Sequence, residues 1–99
     1  MKIRMKEEFK NDWITREAGE RLRKRLVRIL SEKRPVVLDF EGLVVASTSF
    51  FDEGFAKLSE EKVAPEDFEA LITLAHLHPR DRELLVSLCK RRGFPIGKG

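Results

Sequence analysis

Glutamine is absent from this chain, and asparagine occurs once, at Asn11. Thermolabile amides are therefore scarce while Arg and Glu are abundant, a balance that points to a thermophilic source. Cys89 is the single cysteine, so an intrachain disulfide is impossible and a cysteine-rich zinc site is excluded. A lone thiol on a C-terminal helix reads as a small buried hydrophobe. No apolar run approaches the roughly 20 residues of a membrane span. Met1-Lys2-Ile3-Arg4 lacks the apolar core of a secretion signal. These absences lead us to expect a cytoplasmic protein in reducing surroundings. No internal repeat and no long Gly, Ser or Pro linker divides it. The P-loop, the G-x-G-x-x-G loop, the nucleophile elbow G-x-S-x-G and the zinc pattern H-E-x-x-H are all missing. Nothing in the sequence supports autonomous catalysis, so the chain reads as no enzyme, with no cofactor.

What is present describes one small domain. The chain has 99 residues, 41% of them hydrophobic, enough for one core and too few for two. Residues 1–93 read as that domain and 94–99 as a loose C-terminal tail. Charged residues make up 37%, but 20 basic and 17 acidic residues leave a net charge of only +3. That mixture describes a solvated surface better than a nucleic-acid footprint.

Residues 2–5 alternate Lys, Ile, Arg, Met, a short strand with one apolar face; 6–13 are polar and irregular apart from Phe9 and Trp13. Thr15 is an N-cap, Glu17 lies in the first turn, and Ala18, Leu22, Leu26, Ile29 and Leu30 recur at helical spacing over 16–33. Pro35 ends that helix. Val36 to Phe40 is a compact apolar run that predicts a central strand buried on both faces and parallel to a neighbour. Ser47-Thr48-Ser49 announces a helix over 50–60, carried by Phe50, Phe51, Phe55 and Leu58. Residues 66–78 fit a helix starting at Pro65-Glu66-Asp67, or a buried strand at 70–74. The alternating order of elements favours the strand. A final helix occupies 80–92, with Gly93 as its stop.

Five groups of residues invite a chemical reading. Ser47, Thr48 and Ser49 stand where a strand feeds a helix, the end of an α/β sheet where ligands bind. Ser49 can cap the helix, with Asp52 completing an approximate capping box, or the hydroxyls can accept a phosphate. Asp52 and Glu53 are adjacent on a helix, about 100° apart. They cannot readily flank one bond as an acid/base pair, but either can pair with a partner's Arg or Lys. Asp39, at the end of the central strand, reads as structural. His76 and His78 could share one side of a strand and hold a metal, although no acidic residue accompanies them at a recognisable spacing, and no metal is expected. The first long helix carries Arg16, Arg21, Arg23, Lys24, Arg25 and Arg28, which can form a salt-bridged solvated face or track phosphates.

Two blocks resemble a known family. Thr15-Arg16-Glu17-Ala18-Gly19 followed by Leu22-Arg23 looks like the (S/T)-R-E-x-G…L-R opening of a bacterial and archaeal STAS-like domain family of unknown function. Val36-Val37-Leu38-Asp39-Phe40-Glu41-Gly42-Leu43, then Ser49-Phe50-Phe51-Asp52-Glu53 and Leu58, looks like its V-x-L-D-F-x-G-V…S-F-x-D-E…L core. The resemblance implies an α/β fold: a small STAS-like sheet, mostly parallel in its later part, with helices packed chiefly on one side. That family is similar in turn to the STAS domains of anti-sigma factor antagonists, which bind GHKL-type ATPase kinases and are released by phosphorylation. Ser47-Thr48-Ser49 falls where their D-S-S-G loop lies, with Ser47 replacing the acidic residue and Phe50 the glycine. The function implied is a regulatory protein-binding module that docks a GHKL-type ATPase, kinase or anti-sigma factor through residues 46–53 and the following helix. Its candidate contact or phosphoacceptor residues are Ser47, Thr48, Ser49, Asp52 and Glu53. The alternative is a nucleic-acid-associated module using the Arg-rich helix.

Overall fold

A computed structural model describes residues 1–9 and 15–96. The elements run β1 (Lys2–Arg4), α1 (Met5–Phe9), α2 (Arg16–Ser31), β2 (Val36–Asp39), α3 (Thr48–Gly54), a 3-10 helix (Ala56–Glu60), α4 (Pro65–Leu71), β3 (Ile72–Ala75) and α5 (Pro79–Arg91). The three strands form one sheet in the order β1-β2-β3. Both pairings are parallel, with Ile3 beside Leu38 and Leu38 beside Leu74. The sheet is thus parallel throughout its described strands, not only in its later part.

The register separates the two sheet faces. Ile3, Val36, Leu38 and Ile72 point into a core shared with Leu22, Leu26 and Ile29 of α2. On the other face Lys2, Arg4 and Thr73 are exposed, and Val37 and Ala75 half-buried. The helices therefore cover one face; on the other, β2 has a buried Asp39 and a half-buried Val37, so the strand is enclosed there less fully than expected. Val37 is apolar, but its neighbours across the sheet are polar.

Local signals account for most helix ends. Thr15 accepts from the Ala18 N–H, capping α2. The far end of α2 closes when Lys33 takes a left-handed φ of 57° and the Arg34 N–H reaches the Ile29 carbonyl. In α5 the same closure uses Gly93 at φ 77°, and the Phe94 N–H reaches the Cys89 carbonyl. That turn directs Phe94 inward. Phe50, Phe51, Phe55, Phe68 and Phe94 form a chain of ring contacts with centroids 5.8–6.1 Å apart. Phe94 and Ile96 are buried, so the chain remains packed to residue 96, where a loose tail is expected from 94.

Three other expectations change. Met5, expected in the strand, and residues 6–9, expected to be irregular, form a helix, and Asn11 and Trp13 lie outside the described residues. Residues 65–75 contain both competing elements in succession: α4 starts at Pro65 and β3 begins at Ile72. The helix expected over 50–60 begins at Thr48 and breaks at Phe55 into a 3-10 turn.

Helices α2 and α3 approach closely through glycine. A Cβ placed on Gly19 would lie 2.7 Å from the Phe50 carbonyl oxygen and 2.9 Å from Glu53 Cβ. The first of these neighbours is backbone and cannot step aside. Gly19→Ala is expected to destabilise the fold by about 1–3 kcal/mol through overpacking, read as a lower urea midpoint with an unchanged slope.

Candidate docking site at the β2–α3 loop

The loop leaving β2 is held from behind. Leu43 and Val45 are buried in the core, while Val44 and Ala46 face outward, Val44 at 54% exposure. The buried carboxylate of Asp81, in the first turn of α5, accepts the Val45 N–H at 2.7 Å and the Ala46 N–H at 2.8 Å. Ala46 has a φ of 48°, a conformation that costs an L-residue about 1–2 kcal/mol. The two charge-assisted bonds to Asp81 offset that strain.

Ser47 is the N-cap of α3, its hydroxyl accepting the Phe50 N–H at 3.1 Å. The capping box expected from Ser49 and Asp52 does not form, because the helix starts two residues earlier, with Ser47 as its cap. Thr48 is exposed at the first helical position. Ser49 is half-buried and its Oγ accepts from Arg16 Nη2 at 3.3 Å.

The two carboxylates that follow turn away from the loop. Asp52 makes a bidentate pair with Arg92, at 2.6 Å to Nε and 2.8 Å to Nη2, and those hydrogen bonds hold its pKa below the ordinary value. Glu53 is only 5% exposed. Its carboxylate meets Arg16 Nη1 at 2.6 Å, Lys57 Nζ at 2.7 Å and Arg23 Nη1 at 3.2 Å; Arg23 also donates to the Glu53 carbonyl at 2.7 Å. Burial opposes the charge, but the bonds from Lys57, Arg16 and Arg23 prevail and take the pKa from 4.5 to about 2. Glu53 is an internal tie between α2 and α3, not an outward-facing contact.

The basic face of α2 is divided by the same packing. Arg16 and Arg23 serve Glu53, Arg25 pairs with Glu8, and Lys24 with Glu20 at 3.3 Å. Lys24, Arg25 and Arg28 join Arg34 around a cleft of about 340 Å³ floored by Met1 and Ile29.

A second cluster lies at the ends of β2 and β3. Asp39, 5% exposed, accepts the Glu41 N–H at 3.0 Å, faces Lys2 Nζ at 3.4 Å and bonds His76 Nδ1 at 2.9 Å. These bonds, His76 first, bring its pKa from 3.8 to about 2. His78 is used differently: its Nδ1 accepts the Arg80 N–H at 3.1 Å and caps α5. Among the described residues no three His, Cys, Asp or Glu side chains converge on a metal position, and no helix is long and apolar enough to cross a membrane. Cys89 is buried, and that burial pushes its thiol up to about 12, with the charge of Asp52 adding to the effect.

Sequence reasoning alone misses Asp81 and Val44. Asp81 reads as one more acidic residue in a first helical turn, and its targets lie 35 and 36 residues back. Val44 sits inside a continuous apolar run, where nothing local marks it as the residue left outside.

Three parallel strands with helices on one face, and a clamped loop at the end of the central strand, define an α/β module. The family model for the STAS-like domain of unknown function (DUF4325) matches residues 18–82, about two thirds of the chain, and the protein belongs to that family. A search of curated proteins and a search of solved structures returned no match.

The depressed carboxylates set the acid response. The unfolded chain takes up protons near the ordinary values of 4.5 and 3.8, whereas folded Glu53 and Asp39 resist protonation until about 2. Their contribution to stability is therefore complete above the unfolded values and is lost as pH falls toward about 2. Urea midpoints should be level from neutral pH to about 5 and drop steeply below about 4.5; a midpoint level down to pH 2 would contradict the assignment.

Proposed function

We propose that the protein is a non-catalytic regulatory module that binds a protein partner through the outer edge of the β2–α3 loop. The carrying observation is the contrast within that loop. Val44, Ala46 and Thr48 face solvent, while the backbone behind them is fixed by Asp81 and the Ser47 cap. A preformed loop loses little conformational entropy on docking, and an exposed valine at its apex supplies apolar area for a partner's pocket.

The partner class we propose is a GHKL-type ATPase or kinase, from the resemblance to anti-sigma factor antagonists. Thr48 is the hydroxyl we assign to phosphoregulation. It is exposed, whereas Ser47 caps α3 and Ser49 engages Arg16. A phosphate at Thr48 would place about −1.5 to −2 charges on the docking edge and disfavour a close interface. Asp52 and Glu53 contribute indirectly, by seating α3. The nucleic-acid alternative would rest on the cleft around Arg28. It has less support, because Arg16 and Arg23 are withdrawn from that face to Glu53.

Purified GHKL-type ATPases encoded by the same genome, tested against the protein by biolayer interferometry, examine this reading. The wild type should bind at least one, and Val44→Asp and Thr48→Asp should each weaken it about tenfold or more. Equal binding by all three proteins would remove the loop as the interface.

A further inference from the structure

The two histidines are held in opposite tautomers. Asp39 is ionised, so its Oδ1 only accepts, and His76 Nδ1 must be the donor across their 2.9 Å contact. In the neutral ring that leaves the lone pair on Nε2. His78 is the reverse, since its Nδ1 accepts the Arg80 N–H and its ring proton therefore sits on Nε2. The His76 side chain is 59% exposed. Among the described residues nothing bonds its Nε2. Its backbone has a φ of 57°, a strained setting of the kind that collects at functional positions. Asp39 is itself paired with Lys2, whose Nζ lies 3.4 Å from Oδ2.

We propose that His76 is a phosphoryl-acceptor site, modified on Nε2, with Asp39 as its positioning residue. The Nε2 lone pair attacks the phosphorus of a phosphoanhydride or phosphoramidate donor. A P–N bond forms as the bond from phosphorus to the leaving group breaks, and the leaving group departs with that electron pair and takes a proton from water. The Nδ1 proton stays on the ring, so the phosphorylated imidazole is cationic and Asp39 balances its charge. No oxidation state changes. The site uses residues other than those of the loop interface: His76 follows β3, whereas Val44 and Thr48 follow β2.

Phosphoramidate, a small donor needing no kinase, tests the assignment on the intact protein. Phosphorus NMR and peptide mapping by mass spectrometry should find the label on His76 Nε2, forming at least tenfold faster than on His78. Asp39→Asn should slow labelling of His76 by about tenfold and leave His78 unchanged. Long-range ¹H–¹⁵N spectra of the unmodified wild type should report an Nδ1–H ring for His76 and an Nε2–H ring for His78. These wild-type readings decide the matter even if the variant is unfolded. Equal labelling of the two histidines, a label on Nδ1 of His76, or identical tautomers would overturn the proposal.

Discussion

A single buried carboxylate organises the helical layer. Glu53 draws Arg16 and Arg23 from α2 and Lys57 from the 3-10 helix onto one group, and Arg23 reaches on to Glu61 at 3.4 Å. Such an arrangement is not automatically stabilising, because desolvation of each ion costs several kcal/mol. It is favourable here because every partner also donates a hydrogen bond and Arg16 and Lys57 remain partly in water. The tie requires that α2 and α3 touch at backbone distance, which the glycines at 19 and 54 permit. Charge and packing are therefore one constraint: the contact is close because the glycines are there, and it is oriented because Glu53 is.

With α3 seated in this way, the loop before it has little freedom. One end of the loop is the last residue of β2, the other is the Ser47 cap, and Asp81 holds the middle from α5. The strain at Ala46 is stored against those bonds. The loop therefore presents Val44 and Thr48 in a fixed geometry, and this links a core carboxylate on α3 to the character of the surface several residues away.

Much of the architecture is legible in the residues. The 3.6-residue spacing of Leu22, Leu26 and Ile29, the compact Val36 to Asp39 run, and Gly93 at a helix end each lead to the element found. The S-F-x-D-E block also carries the family, and the family model spans it. What periodicity could not reveal is the role of each polar residue within those elements. Glu53 and Asp52 are neighbours in sequence, yet one is enclosed by three cations and the other pairs with Arg92, 40 residues away. Asp39 and His76, 37 residues apart, meet only because β2 and β3 are adjacent and in register. Long-range pairing of this kind leaves no local pattern. The difference between the two faces of β2 was hidden for a related reason: Val37 is as apolar as Val36, and only its cross-sheet neighbours Lys2 and Thr73 reveal that it lies on the less covered face.

The claim that Glu53 is the tie on which α3 and the loop depend is tested most directly by Glu53→Gln in equilibrium urea denaturation at neutral pH. The substitution keeps the shape and removes the charge. It leaves Arg23, which is 15% exposed, with Glu61 at 3.4 Å as its remaining counter-ion. The account predicts a loss of about 3 kcal/mol or more, the usual result of removing one partner from a buried ion pair. A change within about 0.5 kcal/mol, the range of an ordinary surface substitution, would contradict it.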